Sequence, residues 1–486
     1  MTDRPKELNE KLLIALIVLG SILLYLPFLS RQFIGDDWLW LYNAKKAATD
    51  LSIFLKRPMY GYFRPLNMVA IFVMLHIFGP NASIFHLGSI FMHGANVFLL
   101  WMVLRAFGAP REIRLAAPLL FGFYYLNCSA IEWISVGHDL WVTGLILIFL
   151  ILLKRFHERP DFARFSVMFA VGWAAALFKE SGLVAAALYF VYLLLRRSNP
   201  FAESYWKYSL LYILSYFIFI IAYFQTRTVA DKQIELGFGA IINTIYFCSY
   251  LLVPLAKGVA IGLSPELTAA LHWARIFIML ALPAALLYAI FKGSNAIRVF
   301  IFLMLLFIGT VAVFKWNLSL FSPYPEDPAS RFMYSPFVGM AVFLAWLIAG
   351  GLSYLKKRRG FGITIVGLAS IYIAANFAIL TRVSSTFKSQ QQLSQRIIDG
   401  IQANQALFSD IDSVVVITDD MVATEQMISS NKHLPAILLV KFDLNVSVGV
   451  RETENDLLSS LGIKNRTLTI GWDSRKNLLI VKENQL

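Results

Sequence analysis

The sequence predicts an α-helical polytopic membrane protein of about eleven spanning helices, with interfacial helices and a small C-terminal α/β domain. Two observations point to the membrane. Hydrophobic residues fill 58% of the 486 positions and charged ones only 15%, whereas a soluble chain needs more polar surface than that. The apolar residues also fall in runs near the ~20 that a helix needs to cross a bilayer. A third observation marks the C-terminal domain: beyond Leu380 the long apolar runs stop. The 40 Phe, 20 Tyr and 11 Trp suit lipid-facing spans with interfacial aromatic belts.

Taken in order, the expected spans are 12–29, 83–104, 113–131, 138–153, 163–178, 181–196, 208–226, 272–291, 297–314, 332–352 and 361–380. The first run lacks a small-residue cleavage site and is expected to stay as a span. Charge decides two further apolar segments, 65–79 and 241–257, because Lys and Arg gather on the cytoplasmic side. With Arg4, Lys6 and Lys11 inside, Arg105, Arg111 and Arg114 also fall inside only if 65–79 lies in the interface. Lys154, Arg155, Arg159 and Arg164 then follow. So do Arg196, Arg197, Lys207, Lys292, Arg298 and KKRR at 356–359, provided 241–257 does not cross either. The N-terminus is then cytoplasmic and residues 381–486 are extracytoplasmic, in what reads as a bacterial inner membrane. Within 381–486, STFKSQQQLSQRIIDGIQANQALF reads as a helix, DSVVVIT as a strand, and RTLTIGW and NLLIVKE as strands about the turn DSRKN.

The net charge of +13 would also suit a nucleic-acid partner. Most Lys and Arg occupy short loops between apolar runs, which predicts bilayer anchoring and no nucleic acid. Cys128 and Cys248, both in apolar surroundings, give no disulfide framework and no metal-ligand spacing.

Ionisable groups at the apolar boundary are costly and mark function. The first outer loop opens on Asp36 and Asp37 and carries Lys45, Lys46, Lys56, Arg57 and Arg64 on the face where cations are scarce. That excess asks for an anion, and phosphate is the natural one. The second outer loop holds Glu132, His138 and Asp139, the third turns on Lys179 and Glu180, and the last holds Glu326, Asp327, Arg331 and Tyr334. Together they predict one polar cavity opening outward. His86 and His93 stand seven apart, on one helix face, with Asn96 near. Too few ligands accompany them for a metal, so buried hydrogen-bonding histidines are expected.

FIGDDWLWLYN, YFRPLN, FHLGSIFMHGANVFLLW, NCSAIEWISVGHDL, FKESG and SRFMYSPFVGM occur in that order. The series resembles the multi-spanning glycosyltransferases of the GT-C fold, above all the protein O-mannosyltransferase-like branch and the transmembrane mannosyltransferases that carry tetratricopeptide repeats. The resemblance covers roughly residues 12–380, so 1–380 reads as the transferase module and 381–486 as the added domain. It implies a polyprenyl-phosphate-linked sugar as donor. A monophosphate donor does not by itself call for a metal, the sequence shows no metal cluster, and metal dependence is left open. The resemblance makes Asp36–Asp37 the family's acidic pair, one of which acts as catalytic base; Asp36 is expected in that role, with Asp37 orienting the acceptor or exchanging the role. Arg64, Lys179, Arg331 and Tyr334 would bind the donor phosphate; Glu132, His138, Asp139, Glu180, His86 and His93 would support the site or the acceptor. The sequence departs from the family at His138, where many relatives have Arg, and in lacking tetratricopeptide repeats. The acceptor (protein, lipid or glycan) is therefore not implied.

One base and no second nucleophile predict a single inverting displacement of a hexosyl group. A transporter or flippase of a lipid-linked or polar substrate is the alternative. Carriers tend toward matching halves with midplane sites, whereas here the charges gather at the outer face.

Overall fold

The computed structural model describes residues 4–55, 63–225, 237–252, 264–313, 332–355, 361–405, 413–418, 433–444, 447–451, 467–473 and 478–482. The helices are α1 (Arg4–Tyr25), α2 (Asp36–Ala47), α3 (Pro65–Phe78), α4 (Ala82–Ala106), α5 (Arg111–Gly122), α6 (Cys128–Glu132), α7 (His138–Glu158) and α8 (Phe162–Phe178). They continue as α9 (Val184–Leu195), α10 (Trp206–Gln225), α11 (Phe238–Tyr250), α12 (Pro265–Lys292), α13 (Asn295–Ala312), α14 (Tyr334–Leu355), α15 (Phe361–Ala403) and α16 (His433–Phe442).

Six helical segments among the described residues are long and apolar enough to cross a membrane: Leu8–Phe28, Ala82–Ala106, Ile134–Glu158, Ala269–Lys292, Asn295–Ala312 and Tyr334–Gly351. The chain is an integral membrane protein. Each of the six overlaps an expected span. The expected spans 163–178, 181–196, 208–226 and 361–380 coincide with shorter apolar helices. Helix α3, with 14 residues, rises only about 21 Å, short of the ~30 Å hydrocarbon core. The expected single helix over 113–131 is corrected. Helix α5 stops at Gly122, and two short turns of helix, Tyr125–Asn127 and Cys128–Glu132, follow. Side-chain amides make that break tolerable in an apolar setting. Asn127 Nδ2 donates to the Phe121 carbonyl at 2.6 Å, and Asn376 Oδ1 accepts from the Tyr125 N–H at 3.0 Å.

The chain divides into two units: Met1–Pro27 with Gly88–Glu132 and Val136–Ser384, and Phe28–Leu87 with Trp133–Ser135 and Ser385–Leu486. In the first, α7 packs on α8, α13 on α14, and α14 on α5. Tyr124 stacks on Phe337 with ring centroids 3.6 Å apart.

In the second unit α2 packs against α3 and α16. Phe33, Trp38, Leu41, Met68, Ile71, Phe85, Ile401, Leu434, Ile437 and Leu438 form one buried core. Its sheet has the order β2 (Ser447–Arg451), β1 (Ser413–Thr418), β3 (Thr467–Asp473), β4 (Leu478–Lys482). Strand β1 is parallel to β2 and β3, with Val414 opposite Val448 and Leu468; β3 and β4 are antiparallel. Helix α15 runs unbroken through residue 380 to Ala403.

Candidate functional site

The acidic pair starts a helix. Gly35, just before it, has φ 47° and ψ −123°, a conformation that side chains with a Cβ rarely adopt. This turn leaves Asp36 and Asp37 in the first turn of α2, where the helix dipole favours negative charge. The two carboxylates then differ. Asp37 is buried; its Oδ2 accepts from the Ile34 N–H at 3.0 Å and its Oδ1 from the Ser135 N–H at 2.6 Å. It thus ties residues 34–37 to residues 133–135. Burial, reinforced by the charge of Asp36, raises the Asp37 carboxyl from 3.8 to about 7, against the lowering effect of its backbone hydrogen bonds. Asp36 is half-buried.

Arg64 lies in the same unit, half-buried at the cap of α3, where Pro65 occupies the first helical position. His86 is buried in this unit too. Although seven residues from His93, it falls on the other side of the unit boundary inside α4.

A second polar cluster is buried in the first unit. Lys179 Nζ donates to both oxygens of Asp139, at 2.7 and 2.8 Å, and His138 Nε2 lies 3.7 Å from the same carboxylate. All three side chains are buried. Breaking such a pair from one side strands a charge, at about 3–5 kcal/mol. Gly182 permits the turn that places Lys179. A Cβ there would meet the Ala175 carbonyl carbon of α8 at 2.2 Å, so only glycine lets the Lys-Glu turn approach so closely. Glu180 begins that turn and is half-buried.

Tyr334 Oη is 2.9 Å from His93 Nδ1 and accepts from Asn96 Nδ2 at 3.1 Å. His93 Nε2 faces the Gly122 carbonyl at 3.1 Å, and Asn96 Nδ2 also reaches the Leu140 carbonyl at 2.9 Å. This network joins α4, α5, α7 and α14. Glu132 is fully buried, with Ser384 Oγ 3.4 Å from its Oε2. Arg331 lies outside the described residues, as do Glu326 and Asp327. Among the described residues, no three His, Cys, Asp or Glu side chains converge to hold a metal.

Three features escaped the sequence reading. Ser135 serves Asp37 through its backbone N–H and through its side chain, and only the fold brings it there. Thr143 and Ser335 share a 2.7 Å hydrogen bond between α7 and α14. Arg275 is fully buried in α12, with its guanidinium 3.4 Å from His272 Nδ1 and over the Tyr246 ring at 5.4 Å. An arginine inside an apolar run was the available signal for it.

Two structures of ArnT from Cupriavidus metallidurans align over 94% of this chain. The one bound to undecaprenyl phosphate has a TM-score of 0.52 at 12% identity and is covered over 93% of its length. The apo form has 0.53 at 12% identity over 92%. An Archaeoglobus fulgidus oligosaccharyltransferase tethered with an acceptor peptide reaches only 0.48 at 11% identity, covering 90% of this chain and 63% of that one. No protein-family profile matches the chain, and no curated protein matches it in sequence. The ArnT likeness is one of fold. The chain has the GT-C-like architecture that the ordered motifs imply.

Proposed function

We propose that this protein is a membrane glycosyltransferase that moves a hexosyl group from a polyprenyl-phosphate-linked donor to an acceptor on the extracytoplasmic face. The observation that carries the reading is the asymmetry of the acidic pair. Asp37 is locked by two backbone N–H groups, while Asp36, beside it, is the more accessible of the two. A general base must come within hydrogen-bond reach of the proton it takes, which favours Asp36. Asp37 holds the turn and, with its carboxyl near 7, adds less than a full negative charge beside the base.

In the reaction, Asp36 takes the proton of the acceptor hydroxyl as its oxygen bonds to the anomeric carbon. The bond from that carbon to the phosphate oxygen breaks on the opposite face, and the configuration inverts. The polyprenyl phosphate leaves with the electron pair, and cations stabilise the charge that gathers on it. Arg64, Arg331, Lys179 and Tyr334 are assigned to that phosphate. Lys179 is already committed to Asp139, so the arginines carry most of this task. Glu132, His138, Asp139, Glu180, His86 and His93 support the site. The capture of one ArnT structure with undecaprenyl phosphate supports a polyprenyl phosphate as the lipid part of the donor. Mannose is the sugar of the branch that the sequence resembles. A cytoplasmic N-terminus and a bacterial inner membrane complete the reading.

Reconstituted protein given polyprenyl-phosphate-linked hexose should transfer sugar. Asp36→Asn should lower the rate at least ~100-fold, the contribution of a positioned base, with insertion intact. Full activity in both Asp36→Asn and Asp37→Asn would remove the pair from catalysis.

A further inference from the structure

The first turn of α2 is anchored on two sides by residues remote in sequence. Asp37 is tied to Ser135. One residue on, Trp38 is fully buried, and its Nε1 donates at 3.2 Å to Oγ of Ser394, which is buried as well. The Trp38 ring meets Phe33 edge-on with centroids 5.1 Å apart, and Phe33 meets Phe85 in the same way at 5.4 Å. An indole nitrogen donates and cannot accept, so a buried Trp38 needs an acceptor where its N–H points. Ser394, in the C-terminal half of α15 and 356 residues away in sequence, is that acceptor. The far end of α2 has a weaker tie. Lys45 Nζ, in its last turn, lies 3.2 Å from Asp443 Oδ1 in a pair open to solvent, where an ion pair contributes little.

Helix geometry carries these anchors over to Asp36. Successive residues of an α-helix stand about 100° apart around its axis, so Trp38 is about 200° from Asp36, on the opposite side, with Asp37 between them. Trp38 in the core and Asp37 against Ser135 together fix the rotation of α2 about its axis. That rotation turns Asp36 away from the core, in keeping with its half-buried state. We propose that Trp38 and Ser394 are positioning residues for Asp36, their hydrogen bond setting the angle at which its carboxylate meets the acceptor hydroxyl. The segment beyond residue 380 is thereby a working part of the site. The inference rests on the reading of Asp36 as the general base.

The test uses membranes in which the full chain is overproduced, so that they supply the acceptor, with polyprenyl-phosphate-linked mannose as donor and Asp36→Asn membranes as the blank. Ser394→Ala and Trp38→Phe should each lower the maximal rate at least ~5-fold, about the worth of one neutral hydrogen bond. The apparent donor KM should stay within twofold, because a base acts only in the transition state. The double variant should be no slower than the slower single one. Ser394→Thr, which keeps the hydroxyl, and Asp443→Asn, which breaks only the far tie, should stay within twofold of the parent. Single variants within twofold of the parent, or losses that multiply in the double variant, would overturn the proposal. Hydrogen exchange reads the same contact without turnover, since the Asp37 N–H donates to the Ile34 carbonyl at 2.9 Å and the Trp38 N–H to the Gly35 carbonyl at 3.3 Å. These amides should exchange at least ~5-fold faster in Ser394→Ala and at the parental rate in Asp443→Asn. An inactive parent would remove the transferase reading and leave exchange to decide alone. Unchanged exchange in Ser394→Ala would overturn the positioning in either case.

Discussion

Asp37 is a buried carboxylate whose negative form is held by two backbone N–H groups yet still disfavoured by burial. Its folded-state value of about 7 stands above the ordinary 3.8. Between those two pH values the folded chain keeps a proton that the unfolded chain has released. Stability must therefore fall as pH rises through that window and level off on either side. One proton corresponds to a slope of at most about 1.4 kcal/mol per pH unit. In Asp37→Asn this component should vanish. The amide can accept only one of the two N–H bonds, so a uniform loss of about 1–3 kcal/mol should replace it. Melting curves of both proteins from pH 4 to pH 8 decide the matter, and parallel pH profiles would contradict the assignment. The aspartates themselves were legible as a pair of charges in an apolar chain. Their division of labour was not, since it depends on Ser135, which only the fold brings to Asp37 from 98 residues away in sequence.

At the scale of elements, apolar run length predicted the six long helices well, because hydrophobic thickness fixes how many residues a span needs. It failed at 113–131, where the break rests on amide side chains from Asn127 and Asn376, and Asn376 is remote in sequence. The FKESG motif is a similar case: the charges were visible, the reason for its glycine was not. A Cβ at Gly182 would sit 2.2–2.4 Å from backbone atoms of Ala175 and Ala176, which cannot rotate away. Gly182→Ala should push the turn off α8, cost about 1–3 kcal/mol or more, and disturb the Lys179–Asp139 pair. Gly309 supplies the contrast: it lies within α13 with nothing within 4 Å of its added Cβ. Gly309→Ala should be neutral or stabilise by about 0.5–1 kcal/mol. Equal melting temperatures for the two variants would show that the close approach does not matter.

For the molecule as a whole, the least legible feature is the shared core of the second unit. The segment around α2 and the C-terminal segment contact each other across most of the chain length, as when Trp38 Nε1 donates to Ser394 Oγ at 3.2 Å. No period or local motif encodes such a contact. Physically, α2 is a 12-residue helix, too short to be stable alone in water, and it gains its stability from packing on α3 and α16. The helix that starts with the acidic pair should then open together with α16 as one cooperative unit. Leu438 is fully buried in that core, and Leu438→Ala should cost about 2–5 kcal/mol. Hydrogen exchange should accelerate in 433–442 and, by the same factor, in 36–47 and 65–78. The exchange of 139–153 in the other unit should change far less. If only 433–442 exchanged faster, α2 would be held by the membrane or by its own loop, and the C-terminal segment would have no part in positioning Asp36.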